Sequence, residues 1–186
     1  MTDPTPNALA ADAAIRRLKA AYCRFVDTKQ WDRLADLFTP DARFEGFGSV
    51  PDGAGPADFV AGVEAFLGTA LSIHHVHTPE IELTGPDAAR AIWPMMDYVD
   101  LHPDGPPADA EASRGWIGWG YYEEAYVCVA GAWRVSELRL VRQRMDPLAA
   151  DHPLARYGRH APRPDWISKI SAARLTPAVS RSRTIR

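Results

Sequence analysis

Thr69-Ala70-Leu71-Ser72-Ile73-His74-His75-Val76-His77-Thr78-Pro79-Glu80-Ile81-Glu82-Leu83 is the stretch at which this chain changes its period. Before it, apolar residues recur every three or four positions; from it onward they alternate, as in strands. Working upstream, Ile15, Leu18, Tyr22, Phe25 and Val26 predict one buried stripe on a helix that begins near Leu9. Trp31, Leu34, Leu37 and Phe38 predict a second, short helix. Thr39-Pro40-Asp41 ends it, because proline disfavours helix in the residue before it. Residues 43–47 read as a strand and 48–56 as a Gly/Pro-rich loop. Pro56 suits the first turn of a third helix, with Phe59, Val63, Phe66 and Leu67 as its apolar face. Downstream, strands are expected over 72–83, 89–101, 116–129 and 133–145. Gly85-Pro86-Asp87 and Ala130-Gly131-Ala132 are short enough to pair their neighbours antiparallel, whereas 102–112, with three prolines, is a longer loop. Helices first and a meander afterwards make an α+β pattern: three helices on one face of a curved antiparallel sheet.

The 186 residues fit one domain. Residues 1–8 read as a disordered leader, 9–146 as the domain, and 147–186 as a basic Pro/Arg-rich tail. The net charge of -3 divides unevenly: 1–146 hold 13 Lys+Arg against 22 Asp+Glu, and the tail holds 8 against 2. The body therefore repels nucleic acid, and only the tail could attract polyanions. Trp166, Ile167 and Ile170 would let that tail dock as a flap over a pocket. Cys23 and Cys128 lack metal or disulfide spacing, so a reducing cytoplasm is the expected setting. There is no apolar run long enough to span a bilayer and no secretory pattern at the N-terminus. Gly-rich phosphate loops and nucleophile elbows are missing as well.

Several polar residues fall where polar residues are costly. Asp27 sits near the C-terminal, negative end of the first helix, unfavourable by ~0.3–1 kcal/mol unless a partner compensates. A solvated helix-end aspartate is the plainer alternative. Tyr22 lies on the buried stripe and needs a hydrogen-bond partner. Asp27 is about 140° around the helix from it, so the two can face one cavity only if the helix bends or ends between them. Three of the six histidines fall within 74–77. Simple alternation puts His75 and His77 inward with Ile73, Ile81 and Leu83, and His74 outward with Glu80 and Glu82, unless a bulge near Thr78-Pro79 shifts the register. His75 and His77 could chelate a metal with a carboxylate, but no further histidine stands at ligand spacing, so no metal is expected. Asp97 shares parity with Ala91, Trp93, Met95, Val99 and Leu101, an apolar face that would raise its pKa unless a cation pairs with it. Arg142, in phase with Leu138 and Leu140, is the candidate cation; a purely structural ion pair is the bland alternative. Arg144 is expected to be solvated. Trp116, Trp119, Tyr121, Tyr122 and Tyr126 suit either a pocket wall or the core.

Taken in order, Tyr22-x4-Asp27, Lys29-x-Trp31-Asp32, His74-x2-His77-Thr78-Pro79-Glu80-Ile81, Trp93-x3-Asp97, Gly120-x-Tyr122-x3-Tyr126, Trp133 and Arg142 resemble the SnoaL-like branch of the nuclear transport factor 2 superfamily. Within it the chain looks most like bile acid 7α-dehydratase-like proteins, with a weaker likeness to scytalone dehydratases, over about 13–146. The resemblance implies a cone: a strongly bent sheet and helices around a deep cavity. It implies a cofactor-free dehydratase acting on a small hydrophobic, hydroxylated polycyclic or aromatic substrate, and self-association as a trimer or dimer. It places the catalytic groups on Tyr22, Asp27, His74, Asp97 and Arg142, choosing His74 where alternation chooses His75 and His77. Asp27 would orient His74, His74 would move the proton, Tyr22 would donate to oxyanion charge, and Asp97 would be a second acid/base group governed by Arg142. His77, Trp93, Trp119 and Tyr121 are expected to contact substrate. Val76 stands where relatives place Gly, and Tyr121 where they place His, so the pocket differs in shape. If the substrate is a coenzyme A ester, the basic tail could hold its phosphates. An isomerase, a polyketide-type cyclase, a deformylating retro-aldol lyase and a non-catalytic binding module remain open on the same cavity.

Overall fold

The computed structural model describes residues 6–105, 107 and 113–153. Three helices come first in the chain, with one strand between the second and third: α1 (Pro6–Asp27), α2 (Trp31–Ala35), β1 (Phe38–Glu45) and α3 (Pro56–Leu67). The strands β2 (Leu71–Val76), β3 (Glu80–Gly85), β4 (Ala88–Asp100), β5 (Gly115–Val129) and β6 (Ala132–Leu148) follow. They form one sheet in the order β1-β6-β5-β4-β2, with β3 also pairing β4. None of the described helices is long and apolar enough to cross a membrane.

The α+β class and the order of elements agree with expectation, but the sheet is mixed rather than wholly antiparallel. β1 runs parallel to β6 at the edge, while every other pair is antiparallel. β1 also begins earlier than expected, at Phe38, so Thr39-Pro40-Asp41 lies within it rather than merely ending a helix. Pro40 is tolerated because an edge strand has one side without ladder partners. Helix α1 starts at Pro6, so Asn7 and Ala8 belong to it and not to a leader. β6 runs to Leu148, past the expected end of the domain at 146, and Leu148 is buried. Trp166, Ile167 and Ile170, and with them the expected flap, lie outside the described residues.

The expected strand 72–83 is two strands. From Val76 to Glu80 the chain advances four residues while their partners on β4, Met95 and Ile92, are three apart. The extra residue falls in His77-Thr78-Pro79 and reverses the alternation across the break. Ser72, His74 and Val76 therefore stand opposite the inward residues Val99, Asp97 and Met95, and Ile81 and Leu83 opposite the inward Ala91 and Ala89. The concave face packs on α1 and α3 around Ile15, Tyr22, Val26, Phe38, Phe44 and Phe59, where Phe44 and Phe59 stack 3.8 Å apart.

Candidate active site

α1 ends in a Schellman arrangement: Gln30 N–H donates to Phe25 O at 2.9 Å, and Lys29 N–H to Val26 O at 3.3 Å. Lys29 takes the left-handed conformation that this ending needs, φ 59°, with its ammonium on Ser72 Oγ at 2.9 Å. The termination leaves Asp27 in the last turn, facing β2 rather than solvent alone. Its carboxylate accepts two hydrogen bonds from one residue: the His74 backbone N–H at 2.8 Å, and His74 Nδ1 at 2.6 Å. That is the compensation a carboxylate at this helix end requires. The other ring nitrogen, Nε2, points toward Asp97, whose Oδ2 is 3.9 Å away.

Asp97 is almost wholly buried, 1% exposed, and does not stand alone. Arg142 grips it with both terminal nitrogens, Nη1 to Oδ1 at 2.7 Å and Nη2 to Oδ2 at 2.5 Å. Burial works against the guanidinium, but the hydrogen bonds and charge of Asp97 outweigh it and hold Arg142 above its usual pKa. The pair has room because residue 118 has no side chain: a Cβ there would sit 2.3 Å from Arg142 Nη1 and 2.4 Å from Asp97 Oδ1. Arg142 points inward as its parity suggested. Between Trp119↔Arg144 and Gly120↔Arg142 the strand β6 carries one extra residue, Gln143. That bulge turns Arg144 to the outer face, where its guanidinium lies 5.3 Å from the Trp119 ring centre, and brings Met145 to the cavity.

These groups open into a cavity of about 250 Å³ lined mostly by apolar side chains, among them Val26, Val63, Leu67, Val99 and Leu140. Tyr22 and Tyr122 meet edge to face in its wall, 5.8 Å between ring centres. Burial raises both phenols well above the usual tyrosine value, so both stay protonated donors across the neutral range. Phe66 and Met145, each about half exposed, and Trp116 stacked on Phe66 at 5.8 Å, mark the way out to solvent.

Of the residues expected at a site, Tyr22, Asp27, His74, Asp97 and Arg142 are brought together. His75 and His77 are exposed, the opposite of what alternation implied, because the extra residue after Val76 separates the phase of β2 from that of β3. His77 therefore does not line the cavity. Neither do the other three expected contacts. Trp93 is buried in the core with its indole N–H on the Tyr126 hydroxyl at 2.9 Å. Trp119 and Tyr121 alternate outward from Gly118, Gly120 and Tyr122. Tyr122, the neighbour passed over, is the residue in the wall; the two glycines in its phase were the available signal, since only small residues fit beneath an inward arginine. Phe66, expected in the helix core, stands at the mouth instead. Lys19 and Glu124 were also missed. Lys19 continues the Ile15-Tyr22-Val26 stripe and Glu124 shares the phase of Tyr122 and Tyr126, so both were in view as inward charges.

Residues 7–139 match the SnoaL-like domain family. The chain is 32% identical to a probable cyclase of Gibberella zeae over 147 residues, covering 71% of this chain and 91% of that protein. Among solved structures, a candidate scytalone dehydratase from Novosphingobium aromaticivorans superposes with a TM-score of 0.64 at 18% identity, covering 87% of this chain and 100% of that one. A type-3 hexachlorocyclohexane dehydrochlorinase from Novosphingobium barchaimii superposes with a TM-score of 0.63 at 24% identity, covering 80% and 97%. At these identities the structural likeness speaks to the fold. The family match and the cyclase relative together show that the chain belongs to the SnoaL-like family.

Proposed function

We propose, on the premise of SnoaL-like membership, that this protein is a cofactor-independent lyase, a dehydratase of a hydroxylated aromatic or polycyclic substrate whose reacting ring enters the cavity. The observation that carries the proposal is the His74 imidazole, tied to Asp27 through Nδ1 and presenting Nε2 to a mostly apolar pocket beside the Asp97–Arg142 pair. His74 Nε2 takes a proton from carbon. The electron pair forms the new double bond as the neighbouring C–O bond breaks, and the departing hydroxyl leaves as water after taking that proton back from the His74 imidazolium. Asp27 stabilises the imidazolium formed. Tyr22 and Tyr122 donate hydrogen bonds to oxygen charge as it develops. Asp97, held by Arg142, lies beside the same reacting atoms as the second acid/base group. The bile-acid-dehydratase-like order of Tyr22, Asp27, His74, Asp97 and Arg142 supports dehydration. Because the polar groups face one another across an open cavity, an enzyme fits better than a binding module.

A second reading, cyclisation or isomerisation of a polyketide-like substrate, draws support from the cyclase relative, because the same dyad would begin it by proton abstraction. Hydroxylated steroids and aromatic diols, assayed for loss of water by mass spectrometry, separate the two. Wild type should form a product 18 Da lighter than its substrate, and His74→Ala and Asp27→Asn should lose ~10²–10⁴-fold in rate. An isomeric product of unchanged mass would replace dehydration with the second reading. Absence of turnover in both classes, with unchanged ligand binding in the variants, would remove the enzyme reading.

A further inference from the structure

Below the two phenols lies a charged pair that the proton transfers above do not use. Lys19 is 1% exposed and Glu124 4%. The Lys19 ammonium donates to one Glu124 carboxylate oxygen, and the Tyr126 hydroxyl donates to the other. Tyr126 in turn accepts the Trp93 indole N–H. Glu124 thus has both oxygens engaged, and the whole chain of bonds is closed to solvent. What the ammonium faces on its other side is aromatic: its nitrogen lies 3.4 Å from the Tyr122 ring centre and 4.3 Å from that of Tyr22.

Buried ion pairs are weak contributors to stability, and well-packed apolar residues of similar volume often do as well or better. A stability role alone therefore does not account for a lysine here. The geometry has a chemical consequence. The face of an aromatic ring is its negative side, so a cation held against it is attracted to the ring and withdraws electron density from it. In a phenol that withdrawal favours the ionised form over the neutral one and strengthens the O–H as a hydrogen-bond donor. Other charged or titratable groups near the two rings are Cys23 and Asp27 from α1, Asp97 from β4 and Arg142 from β6. Of these the cationic Arg142 acts in the same direction as Lys19, and the carboxylates oppose it.

We propose that Lys19 is a positioning residue of this cavity: held beneath the Tyr122 and Tyr22 rings and neutralised by Glu124, it fixes both phenols and makes their hydroxyls stronger donors toward oxygen charge on a bound ligand. The proposal rests on the reading of the cavity as a site of proton transfer to oxygen-bearing substrates. It can nevertheless be tested without a substrate. The more acidic analogue 3,5-difluorotyrosine, placed at position 122, brings the phenol's ionisation into range of an absorbance titration. The titration is run on the otherwise wild-type protein and on the neutral pair Lys19→Met with Glu124→Gln, which removes both charges together. The phenol should ionise about one pH unit higher in the neutral pair, a tenfold weaker acid. Lys19→Arg, which keeps a cation over the ring, should stay near wild type. If the Met/Gln pair does not fold, Lys19→Leu with Glu124→Leu and Tyr126→Phe carries the same titration. Equal ionisation with and without the charges overturns the proposal. With a substrate from the screen, the neutral pair should lower kcat about tenfold and leave KM unchanged. A failed screen strikes the lyase reading alone, and an unmoved titration strikes this proposal alone.

Discussion

Strand β4 carries two arginine–aspartate pairs, Asp97 with Arg142 and Asp100 with Arg114, and they do opposite things with the same chemistry. Both are bidentate and both aspartates are buried. Arg114 is sealed: it also donates to the carbonyls of His102 and His152, and its side chain is 2% exposed. This pair ties β4 to the start of β5 and to the chain beyond β6, and nothing is left over to react. Arg142 is 24% exposed, lines the cavity, and its aspartate faces an imidazole 3.9 Å away. What separates a candidate site from a rivet here is not the pair but the presence of a cavity and a second titratable group beside it.

The comparison can be broken from either end. Asp97→Asn should lower turnover of the screened substrate by ~10²–10⁴-fold while costing only ~1 kcal/mol of stability, since Arg142 reaches the cavity and can be solvated there. Equal losses in activity and stability would make the first pair a second rivet. Arg114→Met leaves Asp100 buried without its cation and should cost ~3–5 kcal/mol in urea unfolding, with turnover per folded molecule unchanged. Gly118→Ala sharpens the contrast, because it touches only the first pair. Its new methyl must push Arg142 or Asp97 aside, and a loss of about tenfold in kcat with a changed pH–rate profile is expected. A smaller effect concerns Cys23, beside Tyr22, whose thiol burial pushes up to about 11. A raised folded pKa stabilises the protein below the thiol's ordinary pKa and loses that contribution as pH rises through the folded value. Wild type should therefore lose ~2 kcal/mol between about pH 9 and about 11 that Cys23→Ala does not, read as the difference in melting temperature across that range.

How far the residues alone reach is clearest on β2 and β5. Apolar period located the change from helix to strand at Thr69 and placed β4, β5 and β6 to within a few residues. It also put Asp97 and Arg142 on inward faces, since Asp97 sits in a long unbroken alternation and Arg142 ends the unbroken run from Glu137. Alternation failed where an extra residue entered the ladder. The one after Val76 separated β2 from β3, and Gln143 in β6 returned Arg144 to solvent and Met145 to the cavity. On β5 it left Trp119 and Tyr121 as credible as Tyr122, because aromatic residues occupy both faces. His74 was identified through the family pattern and not through local period.

By itself the sequence determined the α+β order, the inward phase of β4 and the misplaced charge of Asp27, because these follow from short-range periodicity and the helix dipole. Only the tertiary structure decided which histidine meets Asp27, that β1 closes the sheet in parallel, and that Lys19 lies under two phenols. Those outcomes depend on bulges, on edge pairing and on which polar groups find each other across 47 or 105 residues of chain. Local composition carries no record of such distances, and packing around one cavity settles them together.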